Sequence, residues 1–316
     1  TWEEAKNINI GLDFAVFEGR ISGALDLYRK RNERLLLGRQ LPSDSGFGSI
    51  TENAGVVQNQ GYEFELTSRN VDTDDFSWTT SFNITSNQNE VIALNAGQTQ
   101  IGTSIFVGEP LRFYWGYRWA GVNPADGRPM WYDKNGNITY LVVTADEQII
   151  SYLDPTHYGG FTNTFNYKGL TLDVFFQYDL GGNTFEQQVG YFLMDPGTQG
   201  NLLNRLLDRW TTPGQVTDVE KAFRTRNEPG MSSRTTGSDW YIESTSYIRL
   251  KNATLSYQLP ENLVSRIGVR SFKVFATGQN LLTWTAYPGI DPEFLGTANA
   301  PYPQGRTVRT GVQLQF

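Results

Sequence analysis

The sequence has no cysteine and a single histidine among its 316 residues. The first absence removes disulfides, zinc–thiolate sites, iron–sulfur ligation and thiol nucleophiles together, without fixing a compartment. The second removes histidine-rich metal sites and would make any Ser-His-Asp triad depend on His157 alone. No apolar run approaches the roughly 18 residues that a spanning helix needs. With 39% apolar residues and a mean hydropathy of −0.42, a helical membrane protein is excluded. A membrane β-barrel is not, because its strands alternate lipid-facing and lumen-facing residues and average out as polar. The net charge of −7 and the scattered Lys and Arg residues give no basic footprint for nucleic acid. No initiator Met, charged n-region or apolar h-region opens the chain, which reads as a piece of a longer protein or as a mature fragment.

Aromatics, by contrast, are plentiful at 14%, with 32 glycines beside them, a combination suited to β-structure with interfacial rings. Period-2 alternation recurs almost everywhere. In "INIGLDFAVF", Ile8, Ile10, Leu12, Phe14 and Val16 share one face, and Asn9, Gly11, Asp13 and Ala15 share the other. "RISGALDLY" repeats the pattern after a Glu18-Gly19 hairpin turn. Further strands are predicted at 61–70, 76–87, 157–168, 170–180, 246–259, 269–281 and in the closing run "GRTVRTGVQLQF". Most are about 10 to 14 residues, long enough to cross a bilayer at a tilt of roughly 45°.

The connections alternate in length. Glu18-Gly19, 71–75, Lys168-Gly169 and 260–268 are short; 32–60, 88–156, 181–245 and 282–304 are long and rich in Gly, Asn, Asp, Thr and Pro. Short turns on one side and long loops on the other is the layout of an outer-membrane barrel. This parity places "EPLRFYWGYRWAGV" (109–122) and "PMWYDKNGN" within an external loop, leaving nine spanning strands. The one helical pattern is "NLLNRLLDRW", where Leu203, Leu206, Leu207 and Trp210 recur at i, i+3, i+4 and i+7; it predicts a short amphipathic helix packing its own loop.

The ordered series "NINIGLDFAVFEGRISGALDLYRKRNERLLL", "PSDSGFGSITENAGVVQNQGYEFEL", "FSWTTSFNITSNQNEV", "YIRLKNATLSYQLP" and "GQNLLTWTAYPGIDPE" resembles the C-terminal half of a SusC/RagA-like TonB-dependent transporter. The resemblance implies an all-β fold: a transmembrane antiparallel up-and-down β-barrel of about 22 strands with a plugged lumen, nine of them in residues 1–316, with long extracellular loops and one short helix. It places the N-terminal plug and the first barrel strands upstream. It also implies location in the outer membrane of a Gram-negative bacterium, contact with outer-membrane lipid and a SusD-like surface lipoprotein capping the mouth. TonB would act through the missing N-terminal part, and the cargo would be an oligosaccharide or oligopeptide. No covalent chemistry and no cofactor or metal is expected. In the last strand, Arg309, Gly311, Leu314 and Phe316 resemble the signal read by the outer-membrane barrel assembly machinery. A strand that must close against the first leaves no unpaired edge.

Four groups of residues carry possible chemistry. Glu63 and Glu65 lie two apart on one strand face, a spacing open to a glycosidase acid–base pair but demanded equally by a polar lumen, which is favoured. Asp133, Asn135 and Asn137 offer oxygen ligands for calcium, but the Gly is misplaced for an EF-hand and a plain hairpin is favoured. His157 reads as a hydrogen-bonding residue at the outer rim. Trp115, Trp119, Trp131 and Tyr132 either stack on sugar rings or peptide side chains, or form an interfacial girdle or loop core. The alternatives to a transporter are a secreted β-rich glycan-active enzyme or carbohydrate-binding module, and a passive porin or secretion barrel.

Overall fold

The computed structural model describes residues 2–40, 46–185, 202–223, 237–264, 268–293 and 304–316. Nine antiparallel strands form one sheet in simple sequence order: β1 (Glu4–Val16), β2 (Ile21–Gln40), β3 (Ser49–Asp72), β4 (Phe76–Leu94), β5 (His157–Tyr167), β6 (Leu170–Leu180), β7 (Tyr247–Gln258), β8 (Ser271–Thr285) and β9 (Thr307–Gln315). Each strand pairs only with its neighbours in sequence, so the sheet is an up-and-down meander, and among the described residues β1 and β9 each keep one free edge.

The turns at one end follow from their residues. Glu18-Gly19 and Lys168-Gly169 both have positive φ at the two central positions (57° and 78°; 46° and 86°). That is the twist that lets a two-residue loop join right-twisted strands. The remaining turns at this end are the tight one at 73–75 and a segment that includes a one-turn helix, Glu261–Val264, where the sequence predicts a plain connection.

Register makes the two faces of the sheet legible, because residues opposite one another in a ladder share a face. One row across eight strands reads Phe14, Gly23, Leu66, Phe82, Phe161, Phe176, Leu250 and Leu282. The adjacent row on the other face reads Asp13, Ala24, Glu65, Asn83, Gly160, Gln177, Arg249 and Thr283. The apolar face is not packed against a second layer: Ile10 is 67% and Val312 62% exposed. Burial lies instead toward the long-loop end, in the cluster of Val57, Val91, Leu94 and Ile101 and in the Leu206–Val219 pair. An uncovered apolar face and a solvated polar one are what a bilayer-spanning wall requires.

The apolar band has a measurable height. At the short-turn end, Phe76, Tyr167, Leu170 and Tyr257 form one row, with Trp78 stacked on Phe165 at 5.6 Å above it. At the other end the band reaches Leu27 and Tyr62, one opposite the other. Strand β5 has 11 residues between these limits. At about 3.3 Å per residue and a tilt of about 45°, its ten steps rise roughly 23 Å, close to the ~25 Å apolar band of such barrels.

Two expectations are corrected. Residues 32–60 are not a long loop: β2 and β3 run on as a hairpin to the pairing Gln40↔Ser49, with register shifts near Leu35. Beyond the apolar band the face alternation is no longer selected, so the sequence pattern fades while the ladder continues. The pattern at 203–210 forms a 3-10 turn (Asn204–Asp208) in place of the amphipathic α-helix. Leu206 is buried with Leu203 packed beside it, whereas Leu207 is 76% exposed. The cause is that Trp210 leaves the turn: its backbone N–H bonds Val219 and its indole bonds the Pro124 carbonyl.

Candidate functional site

The polar face, the loops at its upper end and the last strand supply the candidate functional elements. Glu63 faces Asp26 and Thr85, and Glu65 faces Ala24 and Asn83, all on the polar face. The two glutamates therefore belong to a continuous hydrophilic wall.

The densest polar arrangement on that wall joins β7 to the loop between β8 and β9. Against β6 the register shift leaves Lys251 as an extra residue between Leu250 and Asn252, whereas against β8 the extra residue lies on β8 between Gln279 and Leu282; Arg249 and Lys251 both reach the same partners. Arg249 is 3% exposed; its guanidinium donates to Asp291 Oδ1 at 2.6 Å and to Glu293 Oε2 at 2.9 Å. Lys251 Nζ donates to both Glu293 oxygens at 3.0 Å and to Gln304 at 3.1 Å. Tyr247 Oη donates to Glu293 at 2.9 Å and accepts from Gln177 at 3.0 Å. Burial pushes the Asp291 carboxyl up, but its bonds from Arg249 and from backbone N–H groups more than offset this and hold it below the usual carboxylate range. The "YIRLKN" and "GIDPE" segments thus meet in space, a pairing that spacing in the chain could not reveal.

The long connection from β4 to β5 builds an outer substructure from short strands. Arg118–Val122 pairs with Pro129–Tyr132, and Phe113–Gly116 with Gln148–Tyr152, in agreement with the assignment of 109–122 to β-structure inside the loop. Trp119 and Trp131 are cross-strand partners in edge-to-face contact at 5.3 Å, and Arg118 lies over the Tyr132 ring at 5.2 Å. Trp131 has no exposed surface; Trp119 and Tyr132 are half-buried. The structure therefore brings three of the four candidate aromatics onto one hairpin. Trp115 sits on the other small sheet, stacked on Phe106 at 4.8 Å with its indole N–H on Glu147 at 2.9 Å. Asp239 Oδ1 accepts the Trp119 backbone N–H at 2.6 Å; burial nevertheless raises its pKa above the ordinary value.

Asp133 is committed to its own turn. One carboxylate oxygen accepts the N–H groups of Asn135 and Asn137 at 2.8 Å each, and the other accepts the Asn137 amide. No group of three or more ligating side chains suited to a metal exists among the described residues. His157 Nδ1 lies 3.0 Å from Thr156 Oγ1, and the ring is 6.2 Å from that of Tyr62.

In β9, Val308, Val312 and Leu314 lie on the apolar face opposite Gly278, Val274 and Phe272. Arg309 and Gly311 face the polar side opposite Thr277 and Phe275. The glycine has a steric reason: a Cβ at position 311 would fall 2.5 Å from Phe275 Cζ, so the ring lies flat over the backbone there. Phe316, just past the strand, is 80% exposed.

No family model matches the chain. Over its whole length it is 32% identical to TonB-dependent receptor P3 of Formosa agariphila and 28% identical to TonB-dependent receptor SusC of Bacteroides thetaiotaomicron, covering 34% and 32% of those proteins. It also superposes in full on a solved structure of the RagAB peptide transporter, with a TM-score of 0.87, 29% identity and 36% of that chain covered. The RagAB peptide importer in its open-open state gives a TM-score of 0.86 at 27% identity. The chain thus spans about a third of the length of the proteins it matches, and these are receptors and transporters, not enzymes.

Proposed function

We propose that this chain, similar over its whole length to TonB-dependent receptors and to the RagAB transporter, is a β-barrel segment of a SusC/RagA-like TonB-dependent outer-membrane transporter and forms part of the wall and the outer mouth of an importer for a large nutrient. The segment supplies nine strands at the C-terminal end of a barrel of about 22, with plug and TonB-contacting part upstream. A SusD-like lipoprotein closes over the long loops, and TonB drives the import of an oligosaccharide or oligopeptide across a Gram-negative outer membrane. The observation that carries this reading is the two-faced sheet, whose polar side is studded with hydrogen-bonding groups and whose mouth is shaped by an inward-bonded loop.

Chemically, the wall acts by hydration. Side chains such as Asn83, Glu63 and Gln177 replace water around a polar solute, while the apolar face keeps the barrel in lipid. Trp131 serves as the pillar of the outer substructure, and Trp119 and Tyr132 present the surface through which cargo or lipoprotein is met. Arg309, Gly311, Leu314 and Phe316 mark the strand for the assembly machinery.

The test is uptake by cells producing the full-length transporter, offered defined oligopeptide and oligosaccharide mixtures with and without functional TonB. Depletion of one class that stops without TonB is expected. Uptake that continues without TonB would identify a passive pore instead.

A further inference from the structure

Resting on the reading of this sheet as an outer-membrane barrel wall, one feature of its lipid-facing side points to a ligand. At the upper limit of the apolar band, β1, β2, β3 and β4 line an open groove of about 500 Å³. Its floor is Ile8, Ile10, Leu27 and Tyr62; Arg29 and Gln60 stand at its upper rim, with Ser86 and Gln88 of β4 beside Tyr62 and Gln60. Immediately above, on the same face, the residues change abruptly to charge: Ile8 faces Arg29, Lys6 faces Arg31 and Glu4 faces Glu33.

The charges in this ladder are unequally engaged. Glu33 holds Lys6 at 2.7 Å and Arg31 at 3.3 Å. Arg29 is exposed and forms no ion pair among the described residues. With Arg34, which lies 3.9 Å from Glu4, four cations stand against two carboxylates, and the one without an ion pair among the described residues is the cation that borders the groove. The level is that of the headgroup region, since the apolar band ends at Leu27 and Tyr62 below it.

We propose that this groove binds a phosphate-bearing lipid of the outer leaflet, one acyl chain lying along Ile8, Ile10 and Leu27 and the phosphate meeting Arg29, with Lys6 and Arg31 beside it. An apolar trough ending under an unpaired guanidinium matches a molecule with a hydrocarbon tail joined to an anion. A free phosphate would leave the trough unfilled, and an uncharged lipid would leave Arg29 unpaired.

The experiment uses the full-length transporter in lipid nanodiscs, doped with diphosphorylated lipid A or with the same lipid stripped of phosphate, and counts retained lipid by native mass spectrometry. Wild type should retain the phosphorylated form preferentially. Arg29→Gln/Arg31→Gln should lower its apparent affinity roughly 30-fold at low salt, and Arg29→Lys/Arg31→Lys should keep most of it. Equal retention by wild type and the double Gln variant would overturn the proposal, as would equal retention of the two lipids or displacement by millimolar inorganic phosphate. Heat-modifiable migration in gels is read on every sample. A wild type that forms no heat-modifiable barrel would refute the barrel reading itself, a failure distinct from loss of lipid preference.

Discussion

Replacing Arg249 with Met removes the cation on which two buried carboxylates converge. Asp291 is 6% exposed, and the Glu293 side chain is 13% exposed. With Arg249 gone, Glu293 keeps Lys251, Tyr247 and Gln304, whereas among the described residues Asp291 keeps only backbone donors such as the Glu293 N–H at 3.0 Å. Deleting one partner of a buried ion pair costs ~3–5 kcal/mol, because the remaining charge is left in a poorly solvating site. The barrel has a cheaper route than unfolding, since the segment carrying Asp291 and Glu293 belongs to a loop and can swing its carboxylates into water. The inward-bonded loop should therefore lose roughly 10²- to 10⁴-fold in population relative to the released one, while the sheet stays intact. Hydrogen exchange of residues 286–293, with heat-modifiable migration as the control, reads the two effects separately. The triple replacement Arg249→Met/Asp291→Asn/Glu293→Gln, which strands no charge, should restore part of the protection. Unchanged exchange in Arg249→Met would refute the reasoning; so would a barrel destabilised as much as the loop, because the network would then belong to the wall.

Acid should act on the same contact late. Asp291 is held below the ordinary carboxylate range, so its contribution is complete above an unfolded pKa of ~3.9 and is lost only as pH falls further through the depressed value. Protection of the loop, with the intrinsic pH dependence of exchange divided out, should accordingly be flat from neutral to mildly acidic pH. Asp239 behaves oppositely. Its raised pKa means that ionisation weighs against the folded outer substructure as pH rises, and Asp239→Asn, which keeps an acceptor for Trp119 N–H, should raise protection around Trp119 at neutral pH but not at pH 3. Trp131→Ala should cost ~3–5 kcal/mol of local stability in the outer hairpin, visible as faster proteolysis there with the barrel still heat-modifiable. Gly311→Val should lower the yield of assembled barrel through a clash worth ~1–3 kcal/mol with the Phe275 ring, and Phe275→Ala in the same chain should recover part of it. No recovery would point to a role for Gly311 outside this packing.

Much of this protein was legible before any coordinates. A spanning strand must satisfy lipid on one side and water on the other, so its side chains carry a two-residue period that survives in the bare sequence, and the alternation of short and long connections orients the whole sheet. Nine strands, their order and the face of each followed from that constraint, as did the lumenal placement of Glu63 and Glu65 and the aliphatic face of β9. Where the constraint lapses, the pattern lapses too. The continuation of β2 and β3 to Gln40 and Ser49 depends on one strand finding the other, not on a lipid boundary. The four-residue spacing at 203–210 lost its helix to contacts that Trp210 makes with residues 124 and 219. Nor could spacing reveal that Arg249 and Lys251 meet Asp291 and Glu293 some forty residues on, or that Trp131 is sealed beneath Trp119 while Arg29, among the described residues, has no ion pair above its groove. Those facts belong to the tertiary structure because charge pairing and close packing act between side chains brought together in space, whatever their distance along the chain.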